Sequence, residues 1–425
     1  TLRADRLGIY GYRRNSSPRM DSIFSTSGLV VENVVSQAPT TLNSHMAMFT
    51  GMRPTTAFTP RVKGRFAKQH GWVLNLAEVM RAQGYRTASF TENAWVVGFL
   101  GFARGFESYY EKKSIEGIFS TKGHIEDTFS RGLEWMERHR DQAFFLFLHT
   151  YQVHSPYTPP PSYRGIFPSP ATAGRPKRES DLYDREIRYT DEQVGRLLDG
   201  VRELGLDDDT LVVITSDHGE EFGEHGGREH GAHMNSEVLH VPLLMKAPGL
   251  LAAGARRKGP MALYDLMPTV LELLDVDIPL QVDGRSFAAY LLDKGEAPAE
   301  AIFSEAWAPA SYTYDGVDES WRPPAFTVTF WPYRLSRYRS GDGTRYTLYD
   351  LEKDPGETRN LYTETGEDLL GPRRRSLDGY EKDCLSRQQA LRLHLTGRLT
   401  EFPLAPAPVI DKARREKLEA LGYLQ

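Results

Sequence analysis

The chain has 425 residues, of which 40% are hydrophobic and 26% are charged, so it can bury a substantial core and is expected to divide into a large and a small module. Its formal net charge of -5 argues against a general nucleic-acid-binding protein. The single cysteine, Cys384, excludes an intrachain disulfide and a cysteine-rich zinc site. No run reaches the roughly 20 apolar residues that a membrane helix needs, so no transmembrane segment is predicted.

Helix and strand patterns alternate through the first two thirds of the chain. The first residues read as loop and short helix, and a strand is predicted over 29–34. A helix then begins at Thr40 or Thr41 and ends at Gly51. Apolar periodicity predicts further helices over 76–84, 125–139, 182–204 and 262–276, and further strands over 86–90, 143–148, 211–214 and 240–249. This alternation predicts an α/β fold with a mostly parallel sheet sandwiched by helices.

The last third of the chain is typical of an antiparallel module. Aromatic, alternating segments predict strands at 302–304, 325–339 and 345–351, with SGDGT as a hairpin turn before the last one. We therefore predict a catalytic domain over 1–294 and a smaller C-terminal antiparallel-sheet (α+β) module and tail over 295–425. Within the tail, residues 365–410 are expected to lie on the surface and 411–423 to form a short helix. The expected specificity loops are 55–70, 165–180 and 306–324.

The most informative stretch is LVVITSDHGEEFGEHGGREHG, residues 211–231. A short apolar strand there ends in a loop rich in Asp, His, Glu and Gly, and ligands bind at the carboxyl ends of such strands. Asp217 and His218 follow the strand end, where the backbone can turn so that both side chains converge on one ion. A carboxylate and an imidazole discriminate poorly among Ca, Mn, Mg and Zn, so one divalent metal ion of unspecified identity is predicted.

Two other segments carry candidate residues. His149 and His154 follow the strand at 143–148, and His154, which lies further into the polar loop, is expected to touch substrate while His149 packs. Thr40 and Thr41 stand at a helix N-terminus, where free N–H groups and the helix dipole favour an anionic ester and a nucleophile. The alternative is that these threonines only cap the helix, and this segment alone favours the cap.

Four segments together resemble the sulfatase family of the alkaline phosphatase superfamily. They are TLRADRLGIYGYRR, SDHGEEFGEHG, HVPLLMKAPG and LYDLEKDPGETRNL, which span nearly all of the chain in that order. The resemblance implies a large α/β domain, a smaller module around a four-stranded antiparallel sheet, and a divalent metal held by Asp217, His218 and the nucleophile. It also favours an extracytoplasmic location, although the sequence leaves the compartment open.

The chain departs from the family at the nucleophile. Sulfatases carry a Cys-x-Pro-Ser-Arg signature whose Cys, or in some members Ser, becomes formylglycine, and this chain has TLNSH, residues 41–45, in that place. Thr41 cannot become formylglycine, and an ester formed on a threonine must be cleaved by water or another acceptor. The resemblance therefore implies a Thr-nucleophile variant for which phosphorus esters are candidate substrates beside sulfates.

A second departure concerns the metal. In similar sequences an aspartate ligand at the end of the first strand comes directly before TLRAD, and here that position precedes Thr1. Asp5 lies in the wrong register to replace it. We therefore expect the sequence to be a fragment whose upstream continuation supplies the strand and the ligand.

The predicted function is metal-dependent hydrolysis of sulfate or phosphate mono- or diesters, with a small-molecule, glycan or lipid-headgroup ester as the substrate. His230 falls where many sulfatases place a substrate-contacting lysine, and His225 lies near it. A phosphoethanolamine- or phosphoglycerol-type transferase and a catalytically inactive binding homologue remain alternatives. The predicted site comprises Thr41, His154 and His230 as catalytic residues, His45 and His225 as substrate-binding residues, and Asp217, His218 and Thr41 as metal ligands.

Overall fold

The structure is a computed structural model that describes residues 1–57, 69, 71, 73–92, 94–112, 123–167, 175–306, 325–340, 343–363 and 370–383. The predicted helix over 411–423 and most of the predicted specificity loops lie outside these ranges. Within the described part of the chain, no helix has the length and apolarity needed to cross a lipid bilayer.

Helices and strands alternate through the first 291 residues. The helices are α1 Pro18–Thr26, α2 Thr41–Thr50, α3 Pro54–Ala57, α4 Leu76–Ala82, α5 Ile125–Arg138, α6 Arg175–Glu203, α7 Ser236–Leu239, α8 Leu266–Leu273 and α9 Ala288–Leu291. The strands are β1 Leu29–Val35, β2 Arg86–Thr91, β3 Ser108–Glu111, β4 Phe144–Leu148, β5 Val212–Thr215, β6 Glu221–Phe222, β7 Arg228–Glu229, β8 His240–Lys246, β9 Ala255–Arg257 and β10 Met261–Ala262.

Two sheets form the centre of this α/β part. In a five-stranded sheet of order β10-β1-β8-β5, with β9 also beside β1, strand β1 is parallel to β9 and β10. Strand β8 is antiparallel to both β1 and β5. The second sheet, β3-β2-β4, is parallel throughout. The predicted α/β fold with a parallel-rich sheet is confirmed.

Strand β1 shows why its sequence is apolar at nearly every position. Leu29, Val31 and Val34 belong to a core cluster that includes α2, whereas Val30 belongs to the cluster on the opposite face, which includes Phe24 of α1. A strand covered by helices on both faces buries both of its rows of side chains. Apolar residues on both sides of Glu32 and Asn33 are therefore the signature of a central strand.

The C-terminal part contains an antiparallel sheet of four strands in sequential order: β11 Ile302–Ala306, β12 Ala325–Phe330, β13 Tyr333–Ser340 and β14 Gly343–Asp350. A helix over residues 370–383, α10, packs Leu370, Leu377 and Tyr380 into the same apolar cluster as β12 and β13. The predicted antiparallel sheet is confirmed. The predicted strand over 325–339 is two strands, because the chain reverses at Trp331 and Pro332 so that Phe330 pairs with Tyr333.

The predicted loop over 165–180 also differs from the structure, since α6 begins at Arg175. Pro176 lies in the first turn of this helix, where a missing backbone N–H removes no helical hydrogen bond. Residues 175–180 therefore have the composition of a loop but form the first turns of α6. Further along this helix the fully buried carboxylates of Asp181 and Asp184 both lie 2.6 Å from the Arg14 guanidinium, which ties α6 to the N-terminal segment.

Candidate active site

The loop after β5 and the first turn of α2 meet at one end of the central sheet. The Thr41 Oγ1 atom lies 3.3 Å from His218 Nε2, and this nitrogen lies 3.2 Å from Asp217 Oδ2. All three side chains are buried, with residue exposures of 4%, 0% and 7% for Thr41, His218 and Asp217. The fold thus brings together the three side chains that were predicted to bind one ion.

Two serine side chains hydrogen-bond to the backbone at Asp217, and sequence reasoning missed both of them. The hydroxyl groups of Ser36, just after β1, and Ser44, in α2, both donate to the main-chain carbonyl of Asp217. Both serines are fully buried. Ser44 stands three residues after Thr41 and therefore shares its side of the helix, which is the one signal that the sequence offered.

The hydrogen-bond pattern assigns the tautomer of His218. Its Nδ1 atom donates to the Gly219 carbonyl at 2.9 Å, which leaves the Nε2 lone pair directed at Thr41 and Asp217. Complete burial holds the pKa of His218 well below its usual range, so the ring is neutral. A neutral imidazole with one nitrogen engaged by a carbonyl is the form in which histidine binds metals.

The distances among the three groups also suit an ion. Ligands at about 2.1 Å from a tetrahedral metal are separated by about 3.4 Å, close to the two distances above. Burial acts to raise the pKa of the Asp217 carboxyl, but its basic neighbours, His218 first and also His45, hold that pKa well below the usual range, so the carboxylate is ionised. The Thr1 nitrogen lies 2.7 Å from Asp217 Oδ1, so the start of the chain borders the ligand group. The residues present fit a divalent metal.

Two further histidines stand beside His218. The His230 ring centroid lies 4.2 Å from that of His218 and 5.0 Å from that of His154. The His154 Nδ1 atom donates to the Ser155 carbonyl at 2.6 Å. Burial, together with the neighbouring His230, lowers the pKa of His154 to about 4. The predicted catalytic histidines therefore line one side of the group formed by Thr41, Asp217 and His218, which we call the metal-ligand group after its predicted role.

The His45 ring lies next to the Thr41 backbone and the Asp217 carboxylate. Its Nδ1 atom donates to the Thr41 carbonyl at 2.9 Å and lies 3.4 Å from Asp217 Oδ2. The His45 residue is only 3% exposed, and its ring contacts those of Phe102 and His149. Its direct neighbours are thus the Thr41 backbone and the Asp217 carboxylate. Its predicted contact with substrate stays a prediction.

His225 points away from this group, toward the C-terminal sheet. Its Nδ1 atom lies 2.5 Å from Glu237 Oε1, and its Nε2 atom donates to the main-chain carbonyl of Glu357 at 3.1 Å. Both ring nitrogens are occupied by partners from the protein. The structure therefore does not bring His225 together with Thr41, and its predicted role in substrate binding stays a prediction.

One further cluster of potential ligands exists among the described residues. Oxygen or nitrogen atoms of Glu221, His225 and Glu237 lie within 4.8 Å of one another. These side chains are already paired, because His225 binds Glu237 and Glu221 accepts a hydrogen bond of 2.8 Å from His233. These two ion pairs connect the loop after β5 to α7 and to His233, which precedes it.

Sequence reasoning also overlooked Tyr151, which lies between the two histidines that follow β4. Its side chain is buried, and its phenol oxygen accepts a hydrogen bond of 3.1 Å from the Trp95 N–H. The Tyr151 backbone N–H donates at 2.8 Å to Glu92, a carboxyl group whose pKa burial raises to about 7. Tyr151 is therefore fixed through both its phenol and its backbone.

The chain has sequence relatives among sulfatases and other proteins of the alkaline phosphatase superfamily. The chain is 29% identical over 182 residues to an N-acetylglucosamine-6-O-sulfatase of Bacteroides thetaiotaomicron, covering 42% of this chain and 31% of that protein. It is 26% identical over 371 residues to the multifunctional alkaline phosphatase superfamily protein PehA of Trinickia caryophylli, covering 73% and 66%. The chain thus spans less than two thirds of the length of each of these relatives.

A solved structure in complex with its substrate, D-glucosamine-2-N,6-O-disulfate, has the same fold. Its TM-score is 0.72 with 18% sequence identity, covering 91% of this chain and 96% of that one. A family model described as the C-terminal part of N-sulphoglucosamine sulphohydrolase matches residues 223–372. The sulfatase family model matches residues 1–276, which is more than half of the chain. The chain therefore belongs to the sulfatase family of the alkaline phosphatase superfamily.

Proposed function

We propose that the protein hydrolyses sulfate or phosphate esters through Thr41. One observation supports this proposal. In a buried site, the Thr41 hydroxyl lies 3.3 Å from His218 Nε2, and that nitrogen lies 3.2 Å from the Asp217 carboxylate. A divalent metal held by these three residues would lower the pKa of the hydroxyl and neutralise charge on the transferred group. A threonine that only capped the helix would need neither an imidazole nor a carboxylate beside its hydroxyl.

The residues divide the reaction into two steps. The Thr41 oxygen attacks sulfur or phosphorus, its proton passes to water, and the bond to the leaving oxygen breaks. His154 and His230 stand where they can contact the transferred group or give the leaving oxygen its proton. Water then cleaves the Thr41 ester, which restores the hydroxyl and releases sulfate, phosphate or, from a diester, the phosphate monoester. If an acceptor hydroxyl replaces water, the same site becomes a transferase.

Names of the relatives guide the choice of substrates. The Bacteroides relative is an N-acetylglucosamine-6-O-sulfatase, and the structural neighbour was solved with a disulfated glucosamine, which favours a sulfated sugar or another small sulfate ester. PehA is described as multifunctional within the alkaline phosphatase superfamily, and a threonine nucleophile suits phosphorus esters. We propose both classes for the protein, with a divalent cation as cofactor.

The test uses three variants of the full-length protein, including any upstream segment. Thr41→Ala should lower kcat/KM for 4-nitrophenyl sulfate, 4-nitrophenyl phosphate and bis(4-nitrophenyl) phosphate at least about 1000-fold, because the nucleophile is lost. Thr41→Ser should retain turnover. Thr40→Ala is the matched control, since Thr40 is the neighbouring N-cap residue and makes no side-chain capping hydrogen bond. Turnover by Thr41→Ala within tenfold of the wild type contradicts the proposal.

A further inference from the structure

Glu220 occupies an unusual position between the metal-ligand group and His230. Its side chain has 0% exposure and lies two residues after His218. Glu220 Oε1 accepts a hydrogen bond of 2.9 Å from His230 Nδ1, and Oε2 accepts one of 2.7 Å from the Tyr157 hydroxyl. Burying a carboxylate is costly unless hydrogen bonds compensate it, so these two partners are required for this placement.

The backbone at Glu220 is fixed independently of its side chain. The Glu220 N–H donates to the Glu237 carbonyl at 2.9 Å, and the Glu220 carbonyl accepts from Arg3 Nη1 at 2.9 Å. The Tyr157 ring packs against those of Tyr183 and Phe222. The carboxylate is thus held by a rigid backbone and a rigid phenol, and it can impose one orientation on His230.

The three histidines of the site share one pattern. Each has its Nδ1 atom engaged: His218 by the Gly219 carbonyl, His154 by the Ser155 carbonyl and His230 by Glu220. The Nε2 atom is then the nitrogen available to a ligand in each ring. The partner of His230 differs from the other two because it is a side chain, and a carboxylate gives a stronger, charge-assisted hydrogen bond.

We propose that Glu220 is a positioning residue that orients His230 so that its Nε2 atom faces the transferred group, with Tyr157 fixing the carboxylate. This inference rests on the proposed ester hydrolysis and deepens it, since it assigns to His230 a fixed contact with the reacting group. His230 follows the short strand β7 and packs against the His218 and His154 rings, so the hydrogen bond from its Nδ1 to Glu220 selects the tautomer and leaves Nε2 as the nitrogen for the reacting group.

The adjacent residue supplies a matched control. Glu221 is also buried and also binds a histidine, His233, through a hydrogen bond of 2.8 Å, but its partner stands outside the group formed by Thr41, Asp217 and His218. Glu220→Gln keeps an oxygen that can accept the His230 hydrogen, whereas Glu220→Leu removes it. Tyr157→Phe removes only the second hydrogen bond of the carboxylate.

The first measurement compares these variants of the full-length protein in hydrolysis of aryl sulfates and aryl phosphates with phenol leaving groups of increasing basicity. We expect Glu220→Leu to lower kcat about 10- to 100-fold with KM little changed. The loss in kcat should be largest for the substrates with the most basic leaving groups. Glu220→Gln and Tyr157→Phe should lose less. Glu221→Gln should stay within about twofold of the wild type. Equal kcat losses in Glu220→Leu and Glu221→Gln, or a loss in KM alone, contradict the proposal.

The second measurement is independent of activity. The proton on His230 Nδ1, assigned by its absence in His230→Asn, should give a downfield proton resonance because it is hydrogen-bonded to a carboxylate. It should disappear or move upfield in Glu220→Leu and remain in Glu221→Gln. An unchanged resonance in Glu220→Leu overturns the positioning role whatever the activity. A shifted resonance in a protein that hydrolyses no ester keeps the positioning role and overturns the proposed function.

Discussion

The ion pair between His225 and Glu237 should make the stability of the protein depend on pH. The hydrogen bond of 2.5 Å to Glu237 Oε1 raises the pKa of His225 from its ordinary value of 6.5 to about 9, against the opposing effect of burial. Because the folded state holds this proton more tightly than the unfolded state does, the contribution is complete below pH 6.5. It is lost as the pH rises through about 9.

The structure sets the size of the effect. The difference between 6.5 and about 9 corresponds to at most about 3.4 kcal/mol, at about 1.4 kcal/mol for each pKa unit. The His225 side chain is 20% exposed, so solvent screens part of this energy. We therefore expect His225→Gln to lower the free energy of unfolding by about 1–2 kcal/mol at pH 6.

Urea unfolding of the wild type and His225→Gln between pH 6 and pH 10 tests this reasoning. The difference between the two proteins should shrink as the pH rises above 6.5 and be small at pH 10. The control is a double-mutant cycle with Glu237→Gln, in which the coupling between the two residues should follow the same pH dependence. A difference that stays constant from pH 6 to pH 10 refutes the assignment of the proton to this pair.

Two further predictions concern stability. Arg334 and Glu357 form an ion pair of 3.2 Å with both side chains 1% exposed, so Arg334→Met should destabilise the protein by about 3–5 kcal/mol in urea unfolding by leaving a buried carboxylate uncompensated. Adding Glu357→Gln should recover part of that loss, and no recovery contradicts the assignment. Phe49 of α2 is 4% exposed in the main core, so Phe49→Ala should cost about 3–5 kcal/mol, measured in the same way. A cost below about 1 kcal/mol contradicts the packing seen here.

Local sequence patterns predicted many of the helices and strands. The apolar run before Asp217 predicted a strand, and the helix that begins at Thr41 and ends before Gly51 has the predicted bounds. These features depend on burial and on turn chemistry, which neighbouring residues express directly. The predicted domain boundary at 294/295 stays a prediction, although the antiparallel sheet does begin shortly after it, at Ile302.

The sequence by itself determined that polar residues end a buried strand and that a threonine begins a helix beside them, because periodicity and capping are local properties. Only the tertiary structure decided which side chains meet. It joined Ser36 and Ser44 to the Asp217 carbonyl, and it aimed Glu220 at His230. It also turned His225 toward the C-terminal sheet. The physical reason is that a side chain's partners depend on how the elements pack. Ser44 and Asp217, for example, are separated by 173 positions, and no periodic pattern in the sequence records their contact.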